Sequence, residues 1–206
     1  MFITFEGPEG SGKTSQIAAL ATFLTAQGHQ VLTTREPGGT RIGDQVRACL
    51  HDVANTEMAP AAEMLLYSAS RAQLVAELIR PQLAAGTVIL CDRFVDSTLA
   101  YQGYGRGLDL EALRLISQFA TTNLTPDLTL LLDIDVERGL ARRLSNHQEM
   151  NRLDLEKVSF HQRVRAGYHK LRQLEPERWV VVDADRPFAA IQQDLRTILQ
   201  KHLPNP

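Results

Sequence analysis

The chain has 206 residues, of which 44% are hydrophobic, 22% charged and 6% aromatic, and its 22 basic and 24 acidic side chains give a formal charge of −2. These values exclude disordered, collagen-like and fibrous classes, and they lack the basic excess of a broad nucleic-acid-binding surface. One compact domain spanning 1–206 is expected at this length, and a few well-placed arginines can still serve a small anionic substrate.

In chain order, Met1–Phe5 has neither a basic n-region nor a long apolar core, so it is not expected to be a signal peptide. It reads instead as the start of a buried strand, Phe2–Phe5. Further short apolar runs at Val31–Thr34, Thr87–Cys91, Leu128–Ile134 and Trp179–Val182 read as four more strands. Amphipathic stretches lie between them. Ile17, Leu20, Ala21 and Leu24 mark one, Ala61–Ile79 is another, and Phe188, Ile191, Leu195, Ile198 and Leu199 mark a third. Gly28 and Gly86 sit where helix C-caps are needed before strands. The strand–helix alternation predicts an α/β fold with three α/β/α layers around a mainly parallel five-stranded sheet. Cys49 and Cys91 fit no metal or redox spacing and read as reduced thiols of a cytoplasmic protein. No apolar run approaches the roughly 18 residues of a membrane-spanning helix.

Directly after the first strand, Gly7-Pro8-Glu9-Gly10-Ser11-Gly12-Lys13-Thr14 fits G-x-x-x-x-G-K-[ST], and an amphipathic helix follows. The glycines let successive N–H groups point into one concavity at a helix N-terminus, which favours phosphate. Lys13 then reaches the terminal phosphates and Thr14 offers a hydroxyl to Mg²⁺. This is a P-loop, expected to bind ATP. Asn151-Arg152-Leu153-Asp154 loosely resembles a guanine-reading signature, but it follows no predicted strand, has Arg in place of Lys and has no Asp-x-x-Gly partner. A GTPase is therefore not expected.

Charged groups also gather at other strand ends, where open parallel sheets bind ligands. Arg35-Glu36-Pro37-Gly38-Gly39-Thr40 follows the second strand, and Asp92-Arg93-Phe94 the third, continuing through Ser97, Thr98, Tyr101 and Gln102. Arg71 lies one helical turn beyond Tyr67, so both can face one cleft. The P-loop with its flanking Phe5 and Glu6, the run Thr34–Thr40, the run Asp92–Gly103, Pro126-Asp127-Leu128-Thr129 and Asn151–Asp154 together resemble bacterial thymidylate kinases, over most of the chain.

That resemblance implies transfer of the γ-phosphoryl of ATP to dTMP with Mg²⁺, in a homodimer of nucleotide-kinase fold with a mobile lid at about 138–157. It implies that Arg93 holds the acceptor phosphate, a role suited to its planar fork of donors. Asp92 is the implied Mg²⁺ ligand, with Asp133 a lower-ranked competitor, and Glu9 is implied to reach the deoxyribose 3′-hydroxyl. Tyr67 stands where relatives stack a phenylalanine on thymine, and Arg71 would donate to a thymine carbonyl. Thr98 and Gln102 are candidates for the base edge. Tyr101 would crowd ribose C2′, and Glu36, Arg35, Arg47 and Ser97 complete the acceptor side. The variable P-loop positions hold no arginine, and the resemblance implies that the lid supplies the catalytic one instead: Arg142, Arg143 or Arg152, with Arg138 on the same helix. A non-catalytic P-loop switch would have no use for an acceptor pocket built from Arg71, Arg93 and Tyr101.

Overall fold

The computed structural model describes residues 1–145 and 150–203; residues 146–149 of the expected lid lie outside the described residues. Five strands, β1 (Phe2–Glu6), β2 (Val31–Arg35), β3 (Val88–Asp92), β4 (Leu128–Asp133) and β5 (Trp179–Asp183), form one sheet in the order β2-β3-β1-β4-β5. All four pairings are parallel. Each expected strand is present with its end displaced by a residue: β1, β2, β3 and β5 run one residue further, as the ladder continues into the first charged residue of the following loop, whereas β4 stops at Asp133, one residue short of the expected Ile134, and β3 starts at Val88 rather than Thr87. Phe5 pairs with Asp92 and Arg35 also pairs with Asp92, so the expected site residues emerge at one end of the sheet.

The alternation of side chains along β1 divides the core. Ile3 and Phe5 face one layer, with Ile17, Leu20 and Leu24 of α1 (Lys13–Ala26) and Ile191, Leu195 and Leu199 near the C-terminus. Phe2, Thr4 and Glu6 face the other. There lie α2 (Arg41–His51) and α3 (Pro60–Leu74), which continues through a π-helical turn, Val75–Ile79, into Arg80–Ala84. α4 (Val95–Thr98) likewise runs into a π-helical turn, Leu99–Gly105, and α5 (Leu110–Thr121) follows. The π turn brings Tyr101 against Phe160 and Tyr168 of α7 (Val158–Leu174), ring centroids 6.1 and 6.3 Å apart. The polar stretch expected to separate two helices does so, between α6 (Val136–Ser145) and α7. The C-terminal helix is α8 (Phe188–His202), whose Phe188 is half exposed rather than part of the core. Gly28 and Gly86 take φ of +92° and +80°, as helix-ending glycines do.

The P-loop is closed from outside by α6. Gly10 has φ +70°, and a Cβ built there would lie 1.9 Å from the Gly139 carbonyl oxygen; a Cβ on Gly139 would lie 2.3 Å from the Glu9 carbonyl oxygen. The two backbones touch without room for a methyl. Gly139→Ala must therefore push the loop tip aside, and a displacement of that order in a phosphate site can cost about 10²-fold. We expect the KM for the nucleotide triphosphate to rise at least about tenfold in Gly139→Ala, with a smaller loss in thermal stability; steady-state kinetics and a melting curve measure both.

Candidate active site

A cavity of about 450 Å³ opens at the C-terminal ends of β1, β2 and β3. One end is the P-loop. Gly12 caps α1 with φ +84°, no side chain caps the helix and its first turn carries no acid, so its N–H groups stay available to an anion. Lys13 is buried in the loop, its Nζ donating to the carbonyls of Gly7 (3.0 Å) and Pro8 (3.1 Å) and to Ser11 Oγ (3.2 Å). Burial, and then the Arg93 charge, pull its pKa down to about 8 against the opposing pull of Asp92 and Glu9. Gly7, Pro8 and Ser11 shape the loop from behind; Glu9, Gly10, Gly12, Lys13 and Thr14 line the cavity. Thr14 Oγ1 donates to Asp92 Oδ2 at 2.6 Å. This pair of hard oxygen groups suits Mg²⁺. Asp133, the competing candidate, is taken by Arg165 Nε and Nη2 (2.7 and 2.9 Å) and does not line the cavity.

Arg93 stands at the middle. Its Nη2 donates to Glu9 Oε1 at 2.8 Å; its Nη1 donates to Gly7 O, Tyr168 Oη (both 3.1 Å) and Ser97 Oγ (3.3 Å). The guanidinium also lies over the Tyr101 ring, 4.8 Å from its centroid. The Arg93 backbone has φ +71°, the left-handed region that costs a non-glycine residue on the order of 1–2 kcal/mol. Two bonds hold it there: Arg93 N to Phe5 O (3.0 Å) and Phe94 N to Glu6 Oε1 (2.8 Å). Glu9 is partly exposed, and its Oε1 also receives the Tyr101 hydroxyl at 2.9 Å. Burial alone would raise its pKa; Arg93, Lys13 and the Tyr101 bond outweigh that and hold it at about 2.

The other end is built on α2, α3 and α4. Arg71 is fully buried, its Nε on Glu36 Oε2 (2.8 Å) and its Nη2 on Phe94 O (3.1 Å) and Thr98 Oγ1 (3.0 Å). Its Nη1 is buried with no protein partner, as is Glu36 Oε1. Tyr67, Gln102 and Arg47, the last donating to Pro37 O at 2.8 Å, line the same wall. Burial, and then Arg35, lower the pKa of Arg47.

The arginines of the expected lid diverge. Arg143 lines the cavity, its Nε and Nη2 on the buried carboxylate of Asp154 (3.2 and 2.9 Å). Arg142 points the other way, to Ala184 O (2.8 Å) and Asp185 Oδ1 (2.9 Å), and Arg138 shares Asp185. Arg152 pairs with Glu63 below the cavity wall. Adjacent residues on α6 are about 100° apart, so Arg142 and Arg143 reach different walls.

The family model for thymidylate kinase matches residues 5–195. The chain belongs to the thymidylate kinase family. A thymidylate kinase of Roseiflexus sp. (strain RS-1) is 50% identical over 214 residues, covering 98% of this chain and 95% of that protein. One of Thermomicrobium roseum is 55% identical over 186 residues, covering 90% and 88%. The crystal structure of thymidylate kinase from Ehrlichia chaffeensis, 32% identical, superposes with a TM-score of 0.79 over 97% of this chain and 98% of that one.

Several residues of this kinase carry weight that motif reading did not assign them. Gly139 and Asp154 act through contacts above. His51, Asn151 and Leu153 line the cavity. Glu6 is the deepest: besides Phe94 N, it receives Ser97 Oγ (2.6 Å) and Tyr168 Oη (2.8 Å) on Oε2. A carboxylate at the inward position of an otherwise buried strand was the available signal. Burial, and then Asp96, push its pKa up to about 7, despite Arg93 and its hydrogen bonds. Glu6 therefore holds a proton in the fold that it would release when unfolded, between its ordinary 4.5 and about 7. Its contribution to stability is complete below that window and is lost as pH rises through about 7. In melts from pH 5 to pH 8, the stability gap between wild type and Glu6→Gln should narrow or reverse with rising pH; a gap independent of pH would contradict this.

Proposed function

We propose that this cavity transfers the γ-phosphoryl of ATP to dTMP, giving ADP and dTDP for dTTP biosynthesis in the cytoplasm. One observation carries the proposal: the phosphate loop and a base-sized wall with an unpartnered arginine donor share a single cavity, and Arg93 stands between them. The P-loop amides and Lys13 bind the donor phosphates. Thr14 and Asp92 would hold Mg²⁺, which would neutralise charge on the donor phosphates. An oxygen of the acceptor monophosphate attacks the γ-phosphorus in line as the bond to the β-phosphate oxygen breaks, and ADP leaves.

The chemistry is largely positioning and neutralisation. Arg93 exchanges part of its present set of acceptors for the acceptor phosphate. Glu9, with both protein contacts on Oε1, offers Oε2 to the deoxyribose 3′-hydroxyl. Tyr101, clamped between Arg93 and the rings of α7, occupies space beside C2′ and disfavours a 2′-hydroxyl by overpacking. Tyr67 stacks on the base, Arg71 donates to a base carbonyl, and Gln102 meets the base edge, while Thr98 steadies Arg71. Glu36 holds Arg71, and Arg35, Arg47 and Ser97 support the acceptor-side charge. Among the lid arginines, Arg143 is best placed for the transferring phosphoryl, because it alone of Arg142, Arg143 and Arg152 lines the cavity. The segment from about 138 to 157 closes over the reactants and excludes water.

ADP release measured with dTMP, UMP, CMP, dGMP and no acceptor tests the reading: dTMP must be preferred, and a dTMP rate no better than the others would sink it. Tyr101→Ala should narrow the preference for dTMP over the ribonucleotide TMP about tenfold or more, and an unchanged preference would remove the steric role.

The assembly is a homodimer in this proposal. Leu65 of α3 and Leu115 and Phe119 of α5 are exposed at 54%, 61% and 87%, on two helices that pack together. An apolar face of this kind favours burial against a second copy. Phe119→Glu should shift the mass in solution from dimer to monomer, as light scattering would register.

A further inference from the structure

Glu63 has no part in the roles above, yet it is the most heavily bonded carboxylate beside the base wall. It lies on α3 one turn before Tyr67 and two before Arg71, so the three share a face. Its side chain is 1% exposed. Oε1 accepts Gln102 Nε2 at 2.8 Å and Arg106 Nε at 3.3 Å; Oε2 accepts Arg106 Nη2 at 3.1 Å and the Nη2 of Arg152. Burial opposes ionisation, but the bonds from Arg106, Gln102 and Arg152 outweigh it and lower the pKa. Glu63 is an anion in the fold.

An ionised carboxylate can only accept hydrogen bonds. The two ends of a glutamine amide have nearly the same shape, so partners decide which way it faces. Against Glu63 only the NH₂ end fits. The amide of Gln102, a residue that lines the cavity, is thus left with its carbonyl Oε1 for the ligand. Across the wall, Glu36, Phe94 O and Thr98 consume the other donors of Arg71, leaving Nη1–H unpartnered. Arg71 Nη1–H and Gln102 Oε1 thus present a donor and an acceptor toward the base. Thymine, with a C4 carbonyl beside N3–H, complements that pattern. Cytosine presents the reverse, an amino group beside a bare N3, and sets donor against donor and lone pair against lone pair.

We infer that Glu63 is a positioning residue that selects against cytosine by locking the Gln102 amide with its carbonyl toward the base, an inference that rests on the dTMP reading above. The lock is braced from the lid side. Arg152 comes from the segment whose Asn151 and Leu153 line the cavity, and Arg106 also bonds Glu156 at 2.5 Å. Rotating the amide would set its carbonyl against an anion already gripped by two arginines.

The test is the ratio of kcat/KM for dTMP to that for dCMP in the full chain. Glu63→Gln can face the Gln102 amide from either end, so the ratio should fall at least about tenfold, the scale of one misplaced hydrogen bond. Glu63→Asp remains an acceptor only and should keep the ratio even where both rates decline, an outcome that mere structural damage would not produce. Gln102→Met, which leaves Glu63 and its arginines intact, should lower the ratio by removing the amide. Should Glu63→Gln fail to fold, the contrast between Glu63→Asp and Gln102→Met decides. A wild type selective for dTMP whose ratio is unmoved in Glu63→Gln or Gln102→Met, or falls in Glu63→Asp as far as in Gln102→Met, overturns this inference alone. A wild type without preference for dTMP overturns the underlying reading and this inference together.

Discussion

The guanidinium of Arg93 is the interaction on which the rest of the cavity depends. It ties the P-loop carbonyl of Gly7 and the carboxylate of Glu9 to the hydroxyls of Ser97 and Tyr168, and it flattens against Tyr101. Loop, π turn and α7 are thereby referenced to one group at the end of β3. The position is strained, and its surroundings hold it. The left-handed backbone of Arg93 is held by a hydrogen bond from Phe94 to Glu6, and Glu6 is itself fixed by the same Ser97 and Tyr168 that touch Arg93. Strain of this kind persists where the surroundings over-determine it, which is the usual condition of a site that must be formed before its ligands arrive.

A second theme is that cations around the cavity are matched by buried or partly buried carboxylates. Arg93 faces Glu9, Arg71 faces Glu36, Arg143 faces Asp154, and Arg106 and Arg152 face Glu63. Removing an arginine would strand a buried anion, so the cationic wall is constrained by what lies behind it. The near-neutral total of the sequence is compatible with this locally basic cavity, because the counter-charges are threaded through the same layer rather than segregated elsewhere.

The fold was legible because its signals are local. Each strand is a short apolar run bounded by glycine or charge, and the phosphate loop is eight consecutive residues between a strand and a helix. The acceptor side was legible only as far as motif resemblance carried individual names. What could not be read was pairing across the chain. Arg71 meets Glu36 from 35 positions away, Arg93 meets Glu9 from 84, and Glu63 collects Gln102 and Arg152 over separations of 39 and 89. No periodicity predicts such partners; they follow from which strand lies next to which. The lid shows the same limit at short range. Arg142 and Arg143 are neighbours in sequence, yet one is claimed by Asp185 beyond β5 and the other by Asp154.

The contact of Gly10 with Gly139 has an implication for how such a chain can change. The loop tip and the lid helix meet backbone to backbone, each carbonyl occupying the volume a neighbouring methyl would need. Smallness at one position is useless without smallness at the other, so the two sites form a unit of inheritance. A phosphate loop grafted from a different kinase would arrive without its matching helix, and a lid exchanged alone would arrive without its matching loop. The loop and the helix that covers it can be replaced only as a pair.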